Sequence, residues 1–512
     1  MASPEDVALA AALARTRRSY DETPYPSAPM MRSHPGRLAA QALWRGLTAP
    51  DAARARVLEI GCASGGNLLA LAAALPEARF LGVDLSPAQI ASGEARRKRY
   101  GLDNVELRAM SFEAIGEGEF DFIICHGVYS WIPEPLREAL MRVVKARLAP
   151  EGLAMVSFNV LPGWRLFQIA RDSMLLNARL IEEPSQRAEK TRELFGLLAA
   201  ASSDKRTYGK FWRNEAQRMA AGGDAYLAHE IFEDANAPET FADFSMRAGR
   251  HGLAYLGESV AVANNEADLA PEGAETIRTL SGGDRLKHET YIDIFSGRTF
   301  REALLGHAGR APAPTPAQRS LHYIPSIDLE IADEGSDAFR LSIKDTSLVL
   351  RNSSAAPAMR RFVARRPASS TLADLAAPGD EAALSEALGI AVENGLAAVS
   401  TLPVACAVRL AERPKIWPFA AMDALESDRA VTLRHAAFQF APLQRFLAPL
   451  IDGTRTRDDL VAAAIEMWRT GALTVEGPEG RLADPAEIGR RLAAGVDSAL
   501  AGLLRNGLLT EG

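Results

Sequence analysis

Two carboxylates and three closely spaced glycines carry the most specific chemistry in this chain. Glu59 stands two residues before Gly61, and Gly65 and Gly66 follow; a second acid, Asp84, ends the next apolar run. Glycines so placed let a ligand lie against bare backbone where a helix begins. An acid about 20 residues on can accept hydrogen bonds from both hydroxyls of a ribose. The spacing Glu-x-Gly-x-x-x-Gly-Gly is not the Gly-x-Gly-x-x-Gly of a dinucleotide site, where glycines admit a pyrophosphate. Glu59 would repel a pyrophosphate and would attract a cationic tail. S-adenosylmethionine is a nucleoside with such a tail, an ammonium, a carboxylate and a sulfonium, so the pattern predicts a site for it.

These residues need a framework, and the hydrophobic pattern supplies one. Strands are predicted at Arg56–Ile60, Arg79–Asp84, Val105–Ala109, Phe120–Cys125 and Gly152–Asn159, with helices between them at Gly66–Ala74, Pro87–Tyr100 and Pro135–Leu148. Strands alternating with helices predict a parallel sheet covered on both faces, an α/β fold whose ligands sit at the carboxyl ends of the strands. Helix and strand reappear at Phe241–Ser259, and Phe300–Leu305 reads as a further strand beside them. The expected organisation is therefore an N-terminal lid (1–50), a Rossmann-like core (51–164), a helical insertion (165–235) whose apolar faces suggest a homodimer, and the remainder of a seven-stranded sheet domain (236–308). A proline-rich linker (309–318) and two small winged-helix-like units (319–410 and 411–512) complete it.

The 512 residues are 47% hydrophobic and 24% charged, with a formal charge of −7. That length exceeds one core, and the acidic balance argues against a nucleic-acid surface. No apolar run reaches the roughly 18 residues of a membrane span, and Met1-Ala-Ser-Pro-Glu-Asp6 lacks the basic start of a signal peptide. Cys62, Cys125 and Cys406 are scattered, without a metal or disulfide spacing, which points to a reducing cytosol. His229-Glu230 is unlike a zinc-binding HExxH and reads as a structural or interface pair. The run Arg96-Arg-Lys-Arg99 reads as a solvated helix end.

Residues 56–159 resemble class I S-adenosylmethionine-dependent methyltransferases. Tyr20-Asp-x-x-Pro24-Tyr25, His126-Gly-Val-Tyr-Ser-Trp131, Asn159-Val-Leu-Pro-Gly-Trp164, Tyr226-Leu-x-x-His229-Glu230, Asn236-x-Pro238, Glu289-x-Tyr291-x-Asp293 and Arg298-x-Phe300-Arg301 resemble the bacterial members with a methyltransferase regulatory domain. The whole chain is similar to the rickettsial-type protein-lysine methyltransferases of outer-membrane proteins. The resemblance implies cofactor contacts from Glu59, Gly61, Cys62, Ala63, Gly65, Gly66, Asn67, Asp84, Leu85, Ser111 and His126. Many such enzymes hold the adenine amino group with an acid after the third strand. Here Arg108-Ala-Met-Ser-Phe-Glu113 offers the Ser111 side chain or the Met110/Ser111 backbone instead.

Methyl transfer from a sulfonium is an in-line displacement, so the protein must align the nucleophile and let it lose its proton. A lysine ammonium, with a reference pKa near 10.4, loses it more readily in a desolvated aromatic chamber. Tyr129, His126, Asn159 and Tyr20 are the expected catalytic group, and Tyr25, Trp131 and Trp164 the expected substrate contacts. The acceptor implied is an extended polypeptide. Two other functions fit the same residues: a small-molecule N- or O-methyltransferase, and a sensor that binds the cofactor without turnover.

Overall fold

The computed structural model describes residues 13–511 apart from 19, 23, 25–26, 182, 184–185, 204, 234, 262–268, 311–319, 336–337, 345, 352, 478–479 and 482–483. Residues 311–318 of the expected linker, and Tyr25, fall outside the described residues.

From helix α1 (Pro35–Trp44) the chain runs through β1 (Arg56–Ile60), α2 (Gly66–Ala74), β2 (Arg79–Asp84), α3 (Pro87–Arg99), β3 (Val105–Ala109), β4 (Phe120–Cys125), α4 (Glu134–Arg147) and β5 (Leu148–Leu161). Three helices follow, α5 (Trp164–Ala178), α6 (Arg187–Ala201) and α7 (Thr207–Phe232), then the two-residue strand β6 (Glu239–Thr240), α8 (Phe241–Arg250) and β7 (Leu253–Glu258). Helices α9 (Pro271–Ser281) and α10 (Arg285–Ser296) lead to β8 (Phe300–His307). The strand order is β3-β2-β1-β4-β5-β8-β7, with β6 paired to β5 off this path. Strands β1 to β5 pair in parallel, while β8 runs antiparallel to both β5 and β7.

Side chains alternate across this sheet as the pleat requires. Val57, Phe122, Ile124 and Met155 enter one core with α2. Leu58, Ile60, Ile123, Cys125 and Val156 enter the other with α4 and α8. Phe122 to Cys125 are all 0% exposed, which is why β4 reads as an unbroken apolar run. The strand order reverses at β1, between β2 and β4, and a crevice opens there at the carboxyl ends.

Helices α5 to α7 form their own core around Phe167, Phe195, Trp212 and Met219. Leu176, Leu180, Leu197 and Tyr208 remain more than half exposed on their outer faces. Residues 321–400 fold around a three-stranded meander, a two-stranded pair and three helices, with Ala40, Leu43 and Trp44 of α1 packed into their core. One of those helices, Ala356–Ala364, has no counterpart in the sequence expectation. The last unit holds helices Pro418–Glu426, Pro442–Leu447, Arg457–Arg469 and Pro485–Arg505 with two short hairpins.

That last unit packs directly on the sheet domain. The core beside α2 is continuous with Phe419, Ala424, Leu447 and Leu500. The basic end of α3 is an interface, not the solvated face expected of it: Arg96 pairs with Asp423 and Arg99 with Glu426, and the Tyr100 hydroxyl donates to Asp423 Oδ1 at 2.8 Å. Asp423 is 1% exposed, so breaking its pair would strand a buried charge.

Candidate active site

The turn after β1 is fixed by its backbone. The N–H groups of Gly61 and Cys62 both donate to the Val83 carbonyl, at 2.8 and 3.1 Å. Gly61 has φ +76°, and a Cβ there would lie 2.3 Å from Val128 Cγ2. Ala63 takes φ +49°, unusual for a residue with a side chain. It is held by its N–H, which donates to Asp84 Oδ2 at 2.8 Å, while Ser86 N–H donates to Asp84 Oδ1 at 2.9 Å. Asp84 thus ties the two turns together and keeps further lone pairs on both oxygens. Burial raises its pKa.

Gly65 and Gly66 do not line the cavity. Gly65, at φ +73°, caps the start of α2. Gly66 N–H donates to Ser27 Oγ at 2.7 Å, and a Cβ on Gly66 would meet the Ser27 carbonyl oxygen at 2.5 Å. The second glycine therefore admits the N-terminal segment instead of the ligand. That segment is fastened again where Ser86 Oγ, the N-cap of α3, donates to Asp21 Oδ1 at 2.5 Å.

Glu59 is 3% exposed. Its Oε1 accepts from Asn67 Nδ2 at 3.1 Å, and its Oε2, though buried, has no hydrogen-bond partner. Burial pushes its pKa up to about 8, with nearby Asp84 adding to the rise and the Asn67 amide opposing it. A buried carboxylate oxygen without a donor is costly, and an ammonium delivered by a ligand would satisfy it. Asn67 is itself held on every side: Oδ1 accepts from Met30 N–H at 2.9 Å and lies 2.7 Å from His435 Nε2. Because the Met30 amide can only donate, that atom of Asn67 is the oxygen, and His435 Nε2 carries the proton.

These groups face one cavity of about 510 Å³. Of the residues expected from sequence, Glu59, Gly61, Cys62, Ala63, Asn67, Asp84, Leu85, Ser111, His126, Tyr20, Trp131, Asn159 and Trp164 line it. Met110, Ser111 and Phe112 form one wall, with Ser111 capping a short 3-10 turn. Asn159 is 3% exposed and its amide Nδ2 has no partner. Trp164 Nε1 donates to Asn236 Oδ1 at 3.1 Å, which sets the ring plane. His126 Nε2 lies 3.5 Å from Glu302 Oε1, and Glu302 also takes Arg32 at 2.9 Å.

Tyr129 is a correction. It is 0% exposed, packs edge-on to Phe158 and Phe244, and donates its hydroxyl to Glu239 Oε2 at 3.1 Å. Burial and the Glu239 charge push its pKa far up. It shares a short 3-10 turn, Tyr129–Trp131, with Trp131, and the turn sends one aromatic into the core and the other to the cavity. Tyr129 therefore belongs to the core and not to the catalytic group expected of it.

His229 and Glu230 are the reverse case: expected as a structural or interface pair, they line the cavity from the last turns of α7. The His229 ring stacks on Tyr20 with centroids 4.3 Å apart. Ser27, Met30, Ser86, Phe112 and Phe300 also line the site. Ser86 was readable as the N-cap after Asp84, and Phe112 and Phe300 lie within segments the sequence singles out; Ser27 and Met30 carry no local signal of their own.

The arrangement is one anionic pole for a cationic tail (Glu59), one acid for a diol (Asp84), a flat apolar wall (Met110, Phe112) and an aromatic chamber (Tyr20, Trp131, Trp164). Comparison with known proteins gives three family matches. They are "Methyltransferase domain" over residues 58–154, "Predicted methyltransferase regulatory domain" over 223–307, and "PKMT, C-terminal winged helix domain" over 412–508. An uncharacterized protein of Rickettsia prowazekii, RP789, is 34% identical over 291 residues, 56% of this chain and 52% of that one. A second from the same organism, RP028, is 33% identical over 241 residues, 46% of this chain and 96% of that one. The chain thus matches about half of RP789 and nearly all of RP028. The structure of PKMT2 from Rickettsia typhi in complex with AdoHcy matches with a TM-score of 0.84 over 95% of this chain and 100% of that chain, at 23% identity. That likeness establishes the fold.

Proposed function

The chain belongs to the class I S-adenosylmethionine-dependent methyltransferases that carry a methyltransferase regulatory domain, and we propose that it methylates lysine side chains of an extended polypeptide of the outer-membrane-protein type. The observation that carries the cofactor assignment is the partnerless Glu59 Oε2 in the same cavity as Asp84. Glu59 would hold the ammonium of the cofactor's tail, Asp84 its ribose, and Met110, Ser111 and Phe112 its adenine. The bound cofactor supplies an electrophilic methyl group on a sulfonium.

The chain's own residues do the rest. Tyr20, Trp131 and Trp164 surround the acceptor with aromatic surface, which excludes water and attracts a cation. Asn159 offers its unsatisfied amide to a polar group in the chamber, and His126 borders it from the β4 end. The PKMT-type C-terminal match and the resemblance of the full chain support a protein acceptor. No described helix is long and apolar enough to cross a membrane, and the three cysteines are free and buried, as suits a cytosolic enzyme. The exposed apolar side chains of α5 to α7 would be covered in a homodimer.

Labelled S-adenosylmethionine with unfolded outer-membrane-type polypeptides tests the reading, with the label mapped by mass spectrometry. Label on lysine is expected. Label on no lysine would overturn it.

A further inference from the structure

We propose that Glu230 is a catalytic residue of this site: it receives the proton that the substrate ammonium must lose. The inference rests on the lysine reading above. Glu230 lies in the last turn of α7 and lines the cavity together with Asn159 and Trp164. Its Oε2 is buried and has no hydrogen-bond partner. The hydrogen bonds that fasten the end of the helix run through its neighbours and not through Glu230 Oε2. The adjacent His229 faces Glu233 Oε1 at 3.2 Å and stacks on Tyr20. Arg171 donates to the Glu233 carbonyl, and Asn236 accepts from Trp164.

The cavity therefore holds two carboxylates with a buried oxygen lacking a donor, Glu59 and Glu230. Methyl transfer to lysine brings two cations, the cofactor's ammonium and the acceptor's. Glu59, at the end of β1, is placed for the first. Glu230, on the insertion, is left for the second.

Elimination points the same way. Tyr129 is in the core, Asn159 cannot take up a proton, and His126 Nε2 is turned to Glu302. Charged and titratable neighbours of Glu230 are Arg218 and His229 on its own helix and Arg171 on α5, all favouring its ionised form; Arg17 and Tyr20 line the same cavity from the N-terminal segment. Burial outweighs them and brings the Glu230 pKa up to about 7, the range in which a base works best at neutral pH.

In the step proposed, one N–H proton of the substrate ammonium passes to the Glu230 carboxylate. The freed lone pair forms the new N–C bond as the S–C bond breaks, and the electron pair of that bond goes to sulfur, which becomes a neutral thioether. The product amine keeps the positive charge, and Glu230 returns its proton to water.

The test compares wild type with Glu230→Gln on an unfolded lysine-bearing polypeptide. For the wild type, kcat should rise about tenfold per pH unit below pH 7. In Glu230→Gln that limb should vanish and kcat should fall about 100-fold, with S-adenosylhomocysteine affinity unchanged. A Gln variant with an unaltered pH profile and kcat within about twofold of wild type would overturn the proposal.

A second measurement needs no variant. Calorimetry at pH 7 in two buffers of different ionisation enthalpy counts protons released when a lysine peptide binds the enzyme–S-adenosylhomocysteine complex. Release with lysine and none with norleucine in its place is expected; equal counts would overturn the assignment. Lysine methylation by an enzyme that fails these tests removes only Glu230. Absence of any lysine methylation removes the function reading and this proposal with it.

Discussion

At the scale of single residues, burial makes ionisation of one carboxyl, Glu59, costly in the cavity. Glu59 has a normal carboxyl pKa in the unfolded chain and about 8 when folded and empty. Between those values the folded state holds a proton that the unfolded state has lost. Its contribution to stability is therefore full below about pH 4.5, declines as pH rises, and is gone above about 8. Glu59→Gln removes that slope. The empty variant should melt higher than wild type at pH 8 and nearly the same at pH 5, which differential scanning calorimetry measures. The same change removes the anion for the cofactor's ammonium, a charged hydrogen bond of about 1.5–3 kcal/mol. S-adenosylhomocysteine should bind roughly 10- to 100-fold more weakly by titration calorimetry. Gain in stability with loss of affinity from one substitution marks a functional carboxylate; loss of both would mark a structural one. Tyr129→Phe should behave oppositely. With its hydroxyl satisfied only inside the core, the variant should lose about 1 kcal/mol of stability and leave kcat and cofactor affinity unchanged within about twofold.

At the scale of elements, the turn after β1 is a meeting point of three segments: β1 to α2, β2 to α3, and the N-terminal strip through Asp21 and Ser27–Ser33. Gly66 decides whether the strip can lie down. Its φ is ordinary and alanine suits a helix start, so Gly66→Ala isolates one effect, the 2.5 Å collision with the Ser27 carbonyl. Lifting the strip should expose the 13–33 region to protease and weaken S-adenosylhomocysteine binding about tenfold, while secondary structure by circular dichroism stays intact. Protection equal to wild type would show that the strip does not depend on this glycine. The elements of the sheet were legible from sequence because each is specified locally: β1, β2 and β4 are mainly apolar, β3 alternates apolar and charged residues, and α3 opens on a Ser-Pro cap. Glu59 and Asp84 were legible for the same reason. Tyr129 was misjudged because direction within a one-turn 3-10 helix is set by Phe158, Phe244 and Glu239, all distant in sequence. Glu230 was undervalued because its setting depends on how α7 returns to β5, which no local pattern encodes.

At the scale of the whole molecule, the C-terminal unit touches the wall of the candidate site through Asn67. His435, 3% exposed, presents its Nε2–H to Asn67 Oδ1 at 2.7 Å, and Asn67 Nδ2 donates in turn to Glu59 Oε1. A residue 368 positions away from Asn67 thus orients the amide that holds Glu59, the carboxylate proposed for the ligand's cation. His435 adopts φ +58° to do so, a conformation that costs a residue with a side chain about 1 kcal/mol or more. Burial, with His34 and Arg37 close by, drives its pKa well down, so it stays a neutral single donor through the physiological range. The strain is tolerated because Thr432 and Leu433 are fastened around it, through Ala436 and Gly507. His435→Gly relieves the backbone and removes the donor, which separates folding from positioning. Its melting temperature should fall, because the buried ring and its hydrogen bond are lost and the released strain offsets only part of that. Freed from its donor, Asn67 can turn, and S-adenosylhomocysteine should bind about tenfold more weakly by titration calorimetry, with the deficit shared by Asn67→Ala and not added to it in the double variant. Additive losses in that cycle would mean that His435 acts on the fold alone. Non-additive losses would make the C-terminal unit part of the cofactor site, and would explain why Arg96, Arg99 and Tyr100 clamp that unit to α3 through Asp423 and Glu426.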